Sequence, residues 1–150
     1  MDKNTRWPSV FTTSTDKGII RAIAEQDGYL QNIDTKDLLL IAAAIAVKNE
    51  IPRDSGIDIK RSEMSEAISY ANLNSVSYNE YRQYISAIYY TTKADKNVDN
   101  MKDVGEMVKN FEDYAHRGII YLKENYLNNK DGNKELFDDY VDYLSRSIKK

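Results

Sequence analysis

The sequence predicts an all-helical fold: one compact domain of five to six helices around a central apolar one. Three observations carry this expectation. Glycine and proline are scarce, at six and two residues. Apolar residues return over long stretches with the helical period, and no run of period-two alternation stands out. A chain of 150 residues buries roughly 68–70% of its unfolded surface, so residues 1–150 read as one domain.

The elements follow in order. Pro8 and the run Thr12 to Thr15 mark residues 1–14 as an extended entry segment. Thr15 or Asp16 then caps a first helix to about Asp27, with Ile19, Ile20, Ile23 and Ala24 on one face. Asp27-Gly28 ends it. Thr35 caps a second helix through Leu38 to Val47, which is apolar all round and therefore belongs at the centre, its alanines admitting close neighbours. Asn49 to Ser62, with Pro52 and Gly56, reads as the longest loop, and a short helix follows over Glu63 to Ala71. Ser77 caps a helix to about Lys93, with Tyr81, Tyr84, Ile85 and Ile88 at helical spacing. Val104, Val108, Phe111, Ala115, Gly118 and Leu122 recur at alternating steps of four and three, an apolar seam along one long helix. Gly118 lies on that seam and is expected to admit a close helix contact. Asn128 to Asn133 forms a turn before a last helix with Phe137, Val141, Leu144 and Ile148 inward and Asp138, Asp139 and Asp142 outward.

Composition removes whole classes of chemistry. With no cysteine there is no disulfide framework, thiolate zinc site, iron–sulfur cluster or cysteine nucleophile. The single histidine, His116, excludes sites that need two imidazoles. The 21 basic and 24 acidic residues are spread evenly over the two halves, without the basic excess of phosphate-backbone binders, so direct nucleic-acid binding is not expected. The start of the chain lacks the apolar run of a secretory signal. Its longest apolar run, Leu38 to Val47, is ten residues, where a membrane span needs about 20. The expectation is a cytoplasmic protein with no membrane association.

The sharpest local spacing is Asp95, Asn97, Asp99, Met101, Asp103 and Glu106. Counted from Asp95, these are the oxygen positions of an EF-hand loop, in which a hard cation takes side-chain oxygens, one backbone carbonyl and a closing bidentate glutamate. Calcium is therefore the one candidate cofactor. Asn100 replaces the turn glycine and Lys102 the usual apolar residue; the plainer reading is a polar turn in which Asp99 or Asn100 caps the long helix. A second loop, Asn129 to Gly132, has Leu127 where its first aspartate belongs.

His116 has Glu112 and Asp113 one turn earlier, the spacing of a general base with its carboxylate and equally of a helix-surface ion pair. No sequence motif places a serine beside it, so a structural or surface role is expected. Twelve tyrosines are the compositional oddity. They read first as core with phenol tips at the surface and second as a protein-binding face, for which Tyr78, Tyr81, Tyr89 and Tyr90 are the candidates. Arg53, Lys60 and Arg61 in the long loop complete the candidate interaction set.

Two blocks carry a family resemblance. Asp37-Leu-Leu-Leu-Ile-Ala-Ala-Ala-Ile-Ala-Val-Lys48-Asn49, followed by Pro52 and Arg53, is similar to the early core helix of small bacterial proteins encoded beside DNA phosphorothioation (dnd) systems. Phe111-Glu-Asp-Tyr114-Ala115-His-Arg-Gly118-Ile-Ile-Tyr-Leu122 resembles that family's closing helix, written YA-x-x-G. The blocks span about a fifth of the chain, and neither is a catalytic signature. The resemblance implies a non-enzymatic accessory protein of a DNA-modification-linked anti-phage defence system, contacting a protein partner from a defence or nuclease complex. Self-association is compatible with it. The alternatives are a phage-encoded inhibitor of a host defence nuclease, of anti-CRISPR type, and a calcium-binding helical protein.

Overall fold

The computed structural model describes residues 6–52, 63–92 and 103–127. The last helix with its turn, most of the long loop and residues 95–101 lie outside the described residues. Those that are described are mostly helical, in the order β1 (Val10–Thr13), α1 (Ser14–Glu25), α2 (Thr35–Lys48), β2 (Met64–Ile68), α3 (Tyr70–Leu73), a 3-10 turn (Val76–Tyr78), α4 (Asn79–Thr92), α5 (Val104–Leu122) and a π-turn (Lys123–Leu127). None of these helices is long and apolar enough to cross a membrane.

The two strands depart from the all-helical expectation. β1 and β2 pair antiparallel, Thr13 opposite Met64, Thr12 opposite Ser65 and Phe11 opposite Glu66, with the register shifting before Val10 meets Ile68. Val-Phe-Thr-Thr is β-branched and aromatic and suits a pleated surface; what read as an entry segment is its strand. Met-Ser-Glu-Ala-Ile is rich in helix formers and reads locally as helix, yet pairing with β1 overrides that preference. Helix is kept only at α3, where the Ser69 hydroxyl accepts from the Asn72 amide at 3.1 Å.

α1 begins two or three residues earlier than expected. Thr13, still extended, turns its hydroxyl to the Asp16 amide at 3.0 Å, so the strand's last residue is also the helix cap. Ile19, Ile20 and Ile23 face inward. At the other end of the α1–α2 connection, the Leu30 amide donates to the Tyr126 hydroxyl at 3.4 Å. Gly28 has φ +151° there, and a β-carbon on it would stand 2.7 Å from the same hydroxyl.

α2 is central, as its composition requires. Leu38, Leu39 and all of Ala42 to Ala46 are buried, and its most extensive neighbour is α5. It ends in a Schellman motif: the Glu50 amide donates to the Val47 carbonyl at 3.2 Å and the Ile51 amide to that of Ala46 at 3.0 Å. Glu50 stands at φ +49° where glycine is usual. α5 runs from Val104 to Leu122 as its seam predicts, with Val104, Val108, Phe111, Ala115, Gly118 and Leu122 all buried. The expected close contact at Gly118 is there, against the backbone of Ala42. α4 packs on both, with the Tyr81 ring edge-on to Phe111 at 5.8 Å between centroids.

Candidate functional site

Charged side chains inside the domain come first, because burial of a charge needs a reason. Asp16, 1% exposed, holds His116 of α5 through an Oδ2 to Nδ1 contact of 2.6 Å. That partner comes from α1, 100 residues away in the chain, whereas the sequence drew attention to Glu112 and Asp113 one turn earlier on the same helix. Asp113 takes the Arg117 guanidinium at 2.5 Å. Glu112 turns inward and accepts the Phe11 amide at 2.6 Å, so α5 closes the edge of β1 not used by β2. Asn110 is buried with them and bonds the Thr92 hydroxyl at 3.1 Å. These polar contacts bind separate elements to α5: Asp16 brings α1, Phe11 brings β1 and Thr92 brings α4.

The predicted interaction tyrosines do not form an outer face. Tyr81 and Tyr89 are buried, which corrects that expectation. They lie on the inward stripe of α4 with Ile85 and Ile88, and a helix that buries one stripe cannot also present it. The Tyr81 hydroxyl donates to the Lys36 carbonyl at 2.6 Å, and burial, followed by Asp37 and Tyr78, pushes its pKa well above the usual phenol value. Tyr78 and Tyr90 are half-buried, Tyr78 under the Lys36 ammonium at 5.8 Å and Tyr90 edge-on to Tyr89. Burial also raises Tyr89, with Glu106 next, and raises Tyr90.

Arg53, Lys60, Arg61, Asp95, Asn97, Asp99 and Met101 lie outside the described residues. Of the calcium-loop set, Asp103 is the N-cap of α5, its carboxylate accepting from the Glu106 amide at 3.0 Å. The cap is therefore Asp103, where the sequence suggested Asp99 or Asn100. Among the described residues no group of three His, Asp or Glu is placed to hold a metal ion.

The surface feature that sequence reasoning missed is the turn from α3 into the 3-10 segment. Val76 is 91% exposed and Tyr70 is 49% exposed. Exposed apolar residues are ordinary when scattered; here the backbone beneath them is held at many points. The Asn74 side chain accepts from the Trp7 amide at 2.9 Å and donates to the carbonyls of Trp7 and Tyr70, both at 2.8 Å. Arg82 reaches down from α4 to the carbonyls of Leu73 at 2.5 Å and Ser75 at 2.7 Å. The Ser75 hydroxyl closes on the Asn72 carbonyl at 2.6 Å. Trp7 itself is buried, so the brace reaches the core. The sequence signal was a lone valine within Asn-Ser-Val-Ser, where turn chemistry would favour a polar residue.

Searches of protein-family models, curated proteins and solved structures find no match to the chain.

Proposed function

We propose that the chain is a non-enzymatic accessory protein that acts by contact with a protein partner, in the setting of a bacterial DNA-modification-linked defence system. The observation that supports contact is the braced turn: Asn74 and Arg82 hold residues 70–76 rigid while Tyr70 and Val76 project. A backbone held before binding loses less entropy on association, so such a turn serves recognition better than a loose loop. Tyrosine is enriched at the centres of interfaces, and Val76 adds exposed apolar surface on the same turn. The interior charges support the same reading, since Asp16 and Glu112 are engaged with His116 and Phe11 in holding elements together. The defence setting rests on the two blocks that resemble the dnd-associated proteins.

The test is co-purification of the tagged full chain from its native host, beside a Val76→Asp variant. The wild type is expected to retain a product of a neighbouring modification gene. The variant, unchanged in thermal stability because Val76 touches little, is expected to lose it. A wild-type chain that emerges alone, or a variant that retains the partner equally, overturns the proposal.

A further inference from the structure

We infer that Asp27-Gly28 is a site of spontaneous modification, at which the folded chain converts Asp27 to isoaspartate through a cyclic imide. Asp-Gly occurs at Asp27-Gly28 and again at Asp131-Gly132, the second of which lies outside the described residues. The fold presents the first in a reactive setting.

The reaction asks three things of its two residues. The Gly28 nitrogen attacks the Asp27 side-chain carbon, so its N–H must not be held by an acceptor. The Asp27 carboxyl must be free to turn onto that nitrogen, and residue 28 must not crowd the five-membered ring. A helix interior denies the first of these, because each amide there is bound to the carbonyl four residues back.

The turn after α1 meets all three. The helix ends at Glu25, and Gln26, at ψ 137°, is already extended while its amide makes a last bond to the Ala22 carbonyl at 3.1 Å. Beyond it, neither the Gly28 amide nor the Asp27 carboxylate has a hydrogen bond or ion pair among the described residues. Both residues are exposed. Residue 28 carries no β-carbon, and its φ of +151° is one that glycine adopts readily. The Gly28 carbonyl accepts from the Gln31 amide at 3.2 Å, a bond that leaves the attacking nitrogen free.

The step needs no reagent besides water. The bond from Gly28 N to Asp27 Cγ forms as the Cγ–OH bond breaks, and the amide proton leaves with the hydroxyl as water. Water then opens the imide on either side. Attack at Cγ restores aspartate; attack at the Asp27 backbone carbonyl leaves the chain running through Cγ, which is isoaspartate.

The product lengthens the main chain by one carbon just before Gly28. A β-carbon on Gly28 would stand 2.7 Å from the Tyr126 hydroxyl, and the Leu30 amide donates to that same hydroxyl at 3.4 Å. So close a fit has no room for the longer chain, which lifts the connection away from Tyr126.

The experiment incubates the folded full chain in water enriched in heavy oxygen, near neutral pH and at physiological temperature. Mass spectrometry follows the peptide holding residue 27, with fragmentation that separates aspartate from isoaspartate. Each passage through the imide leaves one heavy oxygen in residue 27, whichever product forms. Isoaspartate there is expected to accumulate within about tenfold of its rate in the urea-unfolded chain, the scale of one turn hydrogen bond. Asp27→Glu, which keeps the charge and would need a six-membered ring, is expected to form no label at that position. In the converted chain the Leu30 amide is expected to exchange its hydrogen faster than in the unconverted one. A folded chain unlabelled at residue 27, whether or not Asp131 or the unfolded chain converts, overturns the inference, and unchanged Leu30 exchange overturns the consequence drawn for Tyr126.

Discussion

Gly118 of α5 rests directly on the backbone of Ala42 in α2. A β-carbon at position 118 would fall 1.8 Å from the Ala42 carbonyl oxygen and 2.7 Å from its Cα. In an isolated helix, Gly118→Ala would be favourable by about 1 kcal/mol. Here the obstructing atoms are main chain, and the central helix pair would have to separate. Gly118→Ala is therefore expected to destabilise by about 3 kcal/mol or more, the upper range for overpacking. Urea denaturation measures it, and a variant as stable as the wild type would show that the two helices slide apart at little cost.

Gly18→Ala should behave in the opposite way. Gly18 lies inside α1, is exposed, and a β-carbon there meets nothing within 4 Å. Only the backbone preference remains, so the expected change is a gain of about 0.5–1 kcal/mol. A rise in the denaturation midpoint without a change in slope checks it.

Glu50→Gly tests the end of α2. The Schellman motif needs the left-handed conformation at residue 50, and glycine adopts it without steric cost. A stabilisation of about 0.5–1 kcal/mol is expected, the steric relief slightly exceeding the extra freedom glycine gives the unfolded chain. If stability falls instead, the Glu50 side chain contributes more than its exposed position suggests.

Asp16 and His116 call for a double-mutant cycle. His116→Ala leaves a carboxylate buried without its cationic or hydrogen-bonding partner, which costs about 3 kcal/mol. Asp16→Ala also removes the link between α1 and α5, but it leaves only a partly exposed imidazole, and the expected cost is nearer 2 kcal/mol. The double variant should cost less than the sum, with a coupling of at least about 1 kcal/mol. Additive effects would mean that the contact does not hold α1 to α5.

How much of this was legible depends on where each structural decision is made. The α5 seam is a local pattern, so its span and the close contact at Gly118 could be read directly. The state of Met64–Ile68 is decided by Val10–Thr13 far upstream, and its own residues point to helix; pairing across a sheet leaves little local trace. The Asp16 partner of His116 was hidden for the same reason. Glu112 and Asp113 are neighbours in the chain, whereas Asp16 lies 100 residues away and meets His116 only because β1 and α1 fold against α5. The burial of Tyr81 and Tyr89 was legible, since both share the spacing of Ile85 and Ile88 along α4.

Four buried or half-buried tyrosines give the fold an alkaline limit. Burial is the first cause that raises Tyr81, Tyr84, Tyr89 and Tyr90 above the ordinary phenol value of 10.0. In the unfolded chain these phenols ionise near that value, while in the fold they keep their protons. The unfolded state therefore binds fewer protons above pH 10, and stability must fall as pH rises from there toward the folded values. Tyr81 alone contributes a slope of up to about 1.4 kcal/mol per pH unit. Urea midpoints are thus expected to hold steady with respect to these phenols up to about pH 10 and to drop beyond it. Phenolate absorbance at 295 nm from these four should rise together with unfolding. Tyr81→Phe separates the two contributions of that side chain. At neutral pH it loses the bond to the Lys36 carbonyl, about 1 kcal/mol, but it removes one ionisation and so flattens the alkaline decline. A Tyr81→Phe protein as sensitive to alkali as the wild type would place the limit on the other phenols.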